Sequence, residues 1–152
     1  MVRKILIGVI VVLGVMQFIR PPKNVGEKIT ENDISKAYGL PEAVHSIFVE
    51  KCYDCHSNST VYPWYSHIQP VGWWMNGHIE HGKEELNFSE FKTYSEKKAT
   101  HKLEEISELV TEGEMPLPSY LWIHRSAKIA PEENAMINNW IQSLGVKIKE
   151  ID

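Results

Sequence analysis

One short cluster constrains this chain more than any other feature. Cys52-Tyr53-Asp54-Cys55-His56 holds the only two cysteines in 152 residues. Two thiols cannot build a disulfide framework, nor a four-thiolate zinc or iron–sulfur site. On a helical turn, residues three apart project from the same side, and the next residue sets an imidazole beside them. A fold that carries this cluster must leave one side of a short helix open toward something that thiols and an imidazole can hold. The length suits one domain, which excludes an enzyme with separate cofactor and substrate lobes.

The C-x-x-C-H spacing is the attachment signature of c-type haem. Each thiol can add to one vinyl group of the ring, and His56 is the proximal ligand for its iron. The spacing therefore predicts one covalently attached haem c, with Cys52 and Cys55 as thioether positions. Three other readings use the same residues. A redox-active CxxC would need a βαβ setting, which the sequence lacks. A zinc site would need two more histidines, and a structural disulfide would need only the two thiols.

Haem iron takes a second axial ligand or keeps an open site. Met115 is the first candidate, in Glu112-Gly113-Glu114-Met115-Pro116-Leu117-Pro118. There a helix is expected to end at glycine, and Pro116 restricts Met115 to an extended backbone. His78 and His81 lie three apart on one helix face and are the alternative distal ligands. Met75 and Met136 are expected to fill the core. His45, His67, His101 and His124 have no motif around them. Tyr62, Trp64, Tyr65, Trp73 and Trp74 flank the attachment turn in sequence and are candidates to wall the haem.

Residues 1–20 are expected to be a signal anchor. Arg3 and Lys4 precede an apolar run from Ile5 to Met16, which Phe18 and Ile19 extend. This is the pattern of an export signal or a transmembrane helix. Ile5–Ile19 would span about 22 Å, short of the roughly 30 Å hydrocarbon core. No small-x-small cleavage site follows, however. The expectation is an uncleaved anchor in the inner membrane with the haem domain facing the periplasm, as basic residues stay on the cytoplasmic side. Cleavage and release into the periplasm is the alternative. Arg3, Lys4 and Arg20 with no acid make this segment basic, so the rest is more acidic than the net charge of −4 suggests. An acidic body argues against nucleic acid as a partner.

The sequence predicts a mainly α body. Residues 21–40 are polar and aperiodic and read as a linker, residues 41–145 as the haem-binding domain, and residues 146–152 as a C-terminal tail. Helices are predicted over 41–55, 71–86, 96–112 and 131–144, with loops over 57–70 and 114–130. Ser95 or Thr100 can cap the third helix and Gly113 can end it. The apolar stripes are Leu103, Ile106, Leu109 and Val110 in the third helix. In the last they are Ala135, Met136, Ile137, Trp140, Ile141 and Leu144.

The order of these features resembles class I cytochromes c: a helix leading to CxxCH, a later Gly-x-Met-Pro loop, and a last helix with an aromatic in its second half. That resemblance implies first and last helices that cross beside the haem and a His/Met-ligated iron. It also implies one-electron transfer, with Met115 as distal ligand and Trp140 as the aromatic. The stretches CYDCHSNSTVYPWYSHIQPVGWWMNGHIEHGKEELNFSEF and EGEMPLPSYLWIHRSAK are similar to small haem-binding domain proteins found mainly in Bacteroidetes. Those are typically short and membrane-anchored. The expected partner is a redox protein or respiratory complex, which Glu104, Glu105, Glu108, Glu112 and Glu114 could steer if it is basic. The rival expectation is a haem enzyme or sensor whose open or His-ligated iron meets peroxide or a diatomic gas. A third is a structural haem module within a larger complex.

Overall fold

The computed structural model describes residues 1–146, so the tail expected over 146–152 lies outside the described residues except for Val146. Seven α-helices are described: α1 Val2–Met16, α2 Glu42–Lys51, α3 Tyr53–His56, α4 Val71–Glu85, α5 Glu96–Glu112, α6 Pro118–Leu121 and α7 Pro131–Ser143. Short 3₁₀ turns lie at Ile34–Lys36, Trp64–His67, Phe88–Thr93 and Arg125–Ala127. No strand forms among the described residues, only an isolated bridge between Val25 and Ser59.

The predicted third and fourth helices coincide with α5 and α7, because their ends carry chemical signals. Ser95 accepts a hydrogen bond from the Lys98 amide at 3.3 Å and opens α5. Gly113 closes it at φ 74°, a left-handed conformation that costs glycine little. The helix expected over 41–55 is instead broken at Cys52, whose φ of −122° separates α2 from α3. Its two halves point their side chains differently, with consequences for the cluster.

The core forms where α2, α5 and α7 meet. Phe48, Leu103, Ile137 and Ile141 are fully buried there or nearly so, as are Phe88 and Phe91 from the 3₁₀ turn after α4. Phe48 stacks on Phe88 at 4.9 Å and meets Trp140 edge-on at 6.0 Å. Trp140 thus belongs to the α2–α7 contact rather than to a cavity wall. Met136, expected in the core, is 39% exposed, because α7 turns that side to solvent.

The segment expected as a surface linker is part of the body, a correction to the reading of 21–40. Ile34 and Asp33 are completely buried. Asp33 accepts hydrogen bonds from the Ser35 amide (2.9 Å), the Ser35 hydroxyl (2.6 Å) and the Tyr53 hydroxyl (2.9 Å). Upstream, Asn24 is held to Ser57 and Thr60, and the Gly26 amide donates to the Asn58 carbonyl at 2.7 Å. These are side-chain and main-chain bonds without a repeat, so no hydrophobic period announces them.

The N-terminal helix also departs from expectation. α1 is apolar but only 15 residues long. No helix among the described residues is long and apolar enough to cross a membrane. Fifteen residues rise about 22 Å against a hydrocarbon core of about 30 Å. The transmembrane reading is corrected accordingly. The end of α1 is clamped to the body. Gln17 donates to the Gln69 carbonyl (3.1 Å) and accepts from the Gln69 amide (2.9 Å), while the Trp73 indole donates to the Ile19 carbonyl (2.8 Å).

Candidate functional site

The break at Cys52 gives the cluster two faces. Tyr53 turns inward and is fully buried, stacked on Phe88 at 5.1 Å with its hydroxyl on Asp33. Cys52, Asp54, Cys55 and His56 instead line a cavity of about 480 Å³. That volume lies within the range of small-molecule and cofactor sites, roughly 300–1,000 Å³. Apolar side chains from α5, from the segment after α4 and from the loops around α6 supply much of the wall, including Leu86, Phe88, Ile106 and Leu117.

His56 is oriented by the main chain of α4. Its Nδ1 lies 2.8 Å from the Gly82 carbonyl and 3.1 Å from the Leu86 carbonyl. Carbonyls only accept, so Nδ1 carries the proton and Nε2 keeps a lone pair. This is the support that metal-bound histidines commonly have: the far nitrogen donates, which fixes tautomer and ring direction. Burial lowers the imidazole pKa despite these two bonds, so the ring stays neutral and ready to donate its lone pair. α4 comes this close because residue 82 is glycine. A Cβ there would stand 3.3 Å from the Cys55 carbonyl oxygen and 3.4 Å from His56 Cε1.

The thiols are not activated. Both cysteines are free. Burial, with the neighbouring Cys55 adding to it, pushes Cys52 up to about 12. Burial and the Asp54 charge push Cys55 up to about 11. A thiol that reacts as a thiolate needs the opposite shift, from a nearby cation or a helix N-terminus. The environment therefore does not suit a thioredoxin-type pair. No group of three or more His, Cys, Asp or Glu side chains among the described residues is arranged to hold a metal ion, which disfavours the zinc alternative. Two neutral thiols and an oriented imidazole on an apolar cavity fit a large flat ring held by thioethers and one iron–nitrogen bond.

All the candidate distal ligands line the same cavity: Met115, His78 and His81. Met115 follows the left-handed turn at Gly113, and its amide donates to the Leu109 carbonyl at 3.1 Å. The Met115–Pro116 peptide is cis. The His78 ring lies 4.3 Å from that of Trp74, with Nδ1 bonded to the Trp74 carbonyl at 2.9 Å. His81 is exposed. At the edge of the cavity, Lys102 bridges Glu85 (3.1 Å) and Glu105 (2.7 Å).

The aromatic residues proposed as walls are elsewhere. Tyr62, Trp64, Tyr65, Trp73 and Trp74 do not line the cavity, whose aromatic surface comes from Phe88 and Tyr120. Trp64 in the loop over 57–70 is 76% exposed and Trp74 on α4 is 52% exposed, while Tyr62 and Tyr65 are half-buried. Tyr120 was not singled out from sequence. Its only cue was a place in a proline-bounded turn after Met115. Its hydroxyl donates to Asp54 at 3.3 Å, which links the α6 turn to the attachment cluster.

No characterised protein sequence and no solved structure matches the chain. A family model does match, over residues 11–143, and the stretch takes in the segment expected as linker together with the whole cavity wall. With most of its length covered, the chain belongs to the haem-binding domain family.

Proposed function

We propose that this protein holds one haem c through thioethers at Cys52 and Cys55 and uses it to transfer single electrons. The observation that carries the reading is the meeting of two neutral thiols, an imidazole oriented through Nδ1, and Met115 on one apolar cavity. Haem held there supplies one-electron chemistry, its iron alternating between ferrous and ferric forms. The residues have separable tasks. Each thiol gives its sulfur to a vinyl carbon and its hydrogen to the neighbouring one. His56 Nε2 is the proximal ligand, and the Gly82 and Leu86 carbonyls hold its ring. Met115 is the distal ligand, and a thioether favours a higher potential than a second imidazole would. The apolar wall limits water and disfavours the more charged iron state. In these respects the site is class I cytochrome c-like.

Arg3, Lys4 and the apolar α1 support export across the inner membrane, with the haem domain in the periplasm. Cleavage within that segment would release the domain there. The partner we propose is a redox protein or a respiratory complex, met on the acidic surface of α5.

The test is a pyridine haemochrome assay on protein produced in cells that mature c-type cytochromes. Covalent haem with two thioethers is expected, reduced to one in Cys52→Ala or Cys55→Ala. Protein without covalent haem overturns the reading. In the ferric protein a methionine–iron charge-transfer band is expected, and Met115→Ala removes it.

A second reading has its own observation: His78 and His81 also line the cavity. With either as distal ligand, or with an open site, the protein would be a haem enzyme or sensor for peroxide or a diatomic gas. Rapid carbon monoxide binding by the reduced protein, with Met115→Ala unchanged in spectrum, would favour it.

A further inference from the structure

A line of rings leads away from the cavity. Tyr120 forms part of the cavity wall, and its ring stacks on His124 at 4.3 Å with an interplanar angle of 12°. The Tyr65 hydroxyl and His124 Nε2 share a hydrogen bond of 2.6 Å, in which the phenol donates when the imidazole carries its proton on Nδ1. Tyr65 meets Trp64 edge-on at 5.9 Å, and Trp64 is 76% exposed. Four rings, two from the 3₁₀ turn Trp64–His67 and two from α6 and the residues after it, thus join the cavity to the surface. Packing alone does not account for this. Trp64 contributes little to any core, and a short phenol–imidazole bond is a specific arrangement.

We propose that Tyr65 and His124 form a redox-active pair that draws one-electron oxidation away from the cavity and toward the surface at Trp64. The co-reactant is a one-electron oxidant. It gains one electron as the Tyr65 O–H bond breaks. The proton forms an N–H bond at His124 Nε2, which leaves a neutral tyrosyl radical beside an imidazolium. A one-electron reductant meeting Trp64 returns the electron, and the proton goes back to oxygen. The hydrogen bond makes this possible. A phenol oxidised without a base in place becomes a strongly acidic cation radical, whereas one bonded to imidazole loses charge and proton together. Burial raises the Tyr65 pKa and Asp54 raises it further, so the phenol holds its proton until the electron leaves. The benefit falls to Cys52, Cys55 and Met115, whose sulfur atoms are the oxidisable groups of the cavity.

The pair needs no bound group, so its test is independent of the haem reading. The full-length protein is photo-oxidised with flash-generated ruthenium(III) tris(bipyridine) and freeze-quenched for electron paramagnetic resonance. A neutral tyrosyl signal is expected, and Tyr65→Phe should remove it. His124→Phe should slow its appearance roughly a hundredfold, the scale of a lost proton acceptor. In the unaltered protein, formation should slow in deuterium oxide, a measurement that requires no variant to fold. An undiminished signal in Tyr65→Phe, or formation equally fast in both solvents, overturns the proposal.

Discussion

Gly82 sets how closely α4 can approach the attachment turn, and it also offers the carbonyl that His56 needs. Ala at this position would bring a methyl group to 3.3 Å from the Cys55 carbonyl and 3.4 Å from the imidazole. The neighbours must then give by a few tenths of an ångström. Gly82→Ala is expected to cost about 1–3 kcal/mol in urea unfolding, the usual scale of overpacking. In the haem-loaded protein it should also alter the axial-ligand absorption bands, since it moves the ring as well as the helix. At this scale the chemistry was legible and its support was not. C-x-x-C-H specifies a thioether-and-imidazole site by residue type and spacing alone. A glycine inside a helix carries no sign of what lies against it, and carbonyl acceptors have no sequence signature. Tyr120 escaped notice for the same reason, as did Asp33, which holds Tyr53 from twenty residues upstream.

Among the elements, α7 shows how a helix start can also bind its neighbour. Glu133 accepts the Ala130 amide at 2.7 Å and the Lys51 ammonium at 2.5 Å, so one carboxylate satisfies the start of α7 and fastens it to the end of α2. Burial would raise its pKa, but these two donors outweigh that and hold it below the ordinary value. A depressed carboxylate stabilises the fold above its unfolded pKa, near 4.5, and the benefit disappears as the pH falls through the lower folded value. Glu133→Gln is therefore expected to lose about 1–2 kcal/mol at pH 7 and little more on acidification. Thermal unfolding of both forms from pH 7 to pH 3 should bring their curves together at the acid end. α5 was readable because period, cap and stop agree, and α7 because its apolar stripe follows a proline at its first position. The break at Cys52 was not, since Val49 to Cys55 offers no proline or glycine to mark it.

For the whole molecule, the polar strap before α2 decides what counts as the domain. A chain beginning at residue 41, where the sequence pattern places the start, would lack Ile34 and leave the Tyr53 hydroxyl without Asp33. Losing a buried isoleucine costs about 2–5 kcal/mol and an unpaired buried hydroxyl about 1–3 more, comparable to the stability of a small domain. That shorter chain is expected to show no cooperative unfolding transition by circular dichroism. A chain beginning at residue 21 should keep one, because α1 adds no buried residue and is tied on through Gln17 and Ile19. The helical class was legible in periodicity, and the thiol–imidazole cluster in one motif. The strap did not, because polar segments are read as linkers whenever their partners are distant in the chain.

The two acceptors of His56 are main-chain atoms, and this shapes how the protein can vary over time. Replacing Leu86 leaves its carbonyl in place, and any residue tolerated at 82 keeps one as well. The hydrogen bond that orients the imidazole is inherited with the path of α4 rather than with the identity of any side chain. Lineages of this protein are free to exchange other residues along the cavity wall while the imidazole keeps its tautomer, and losing that orientation takes a change that displaces α4, as a side chain at position 82 would.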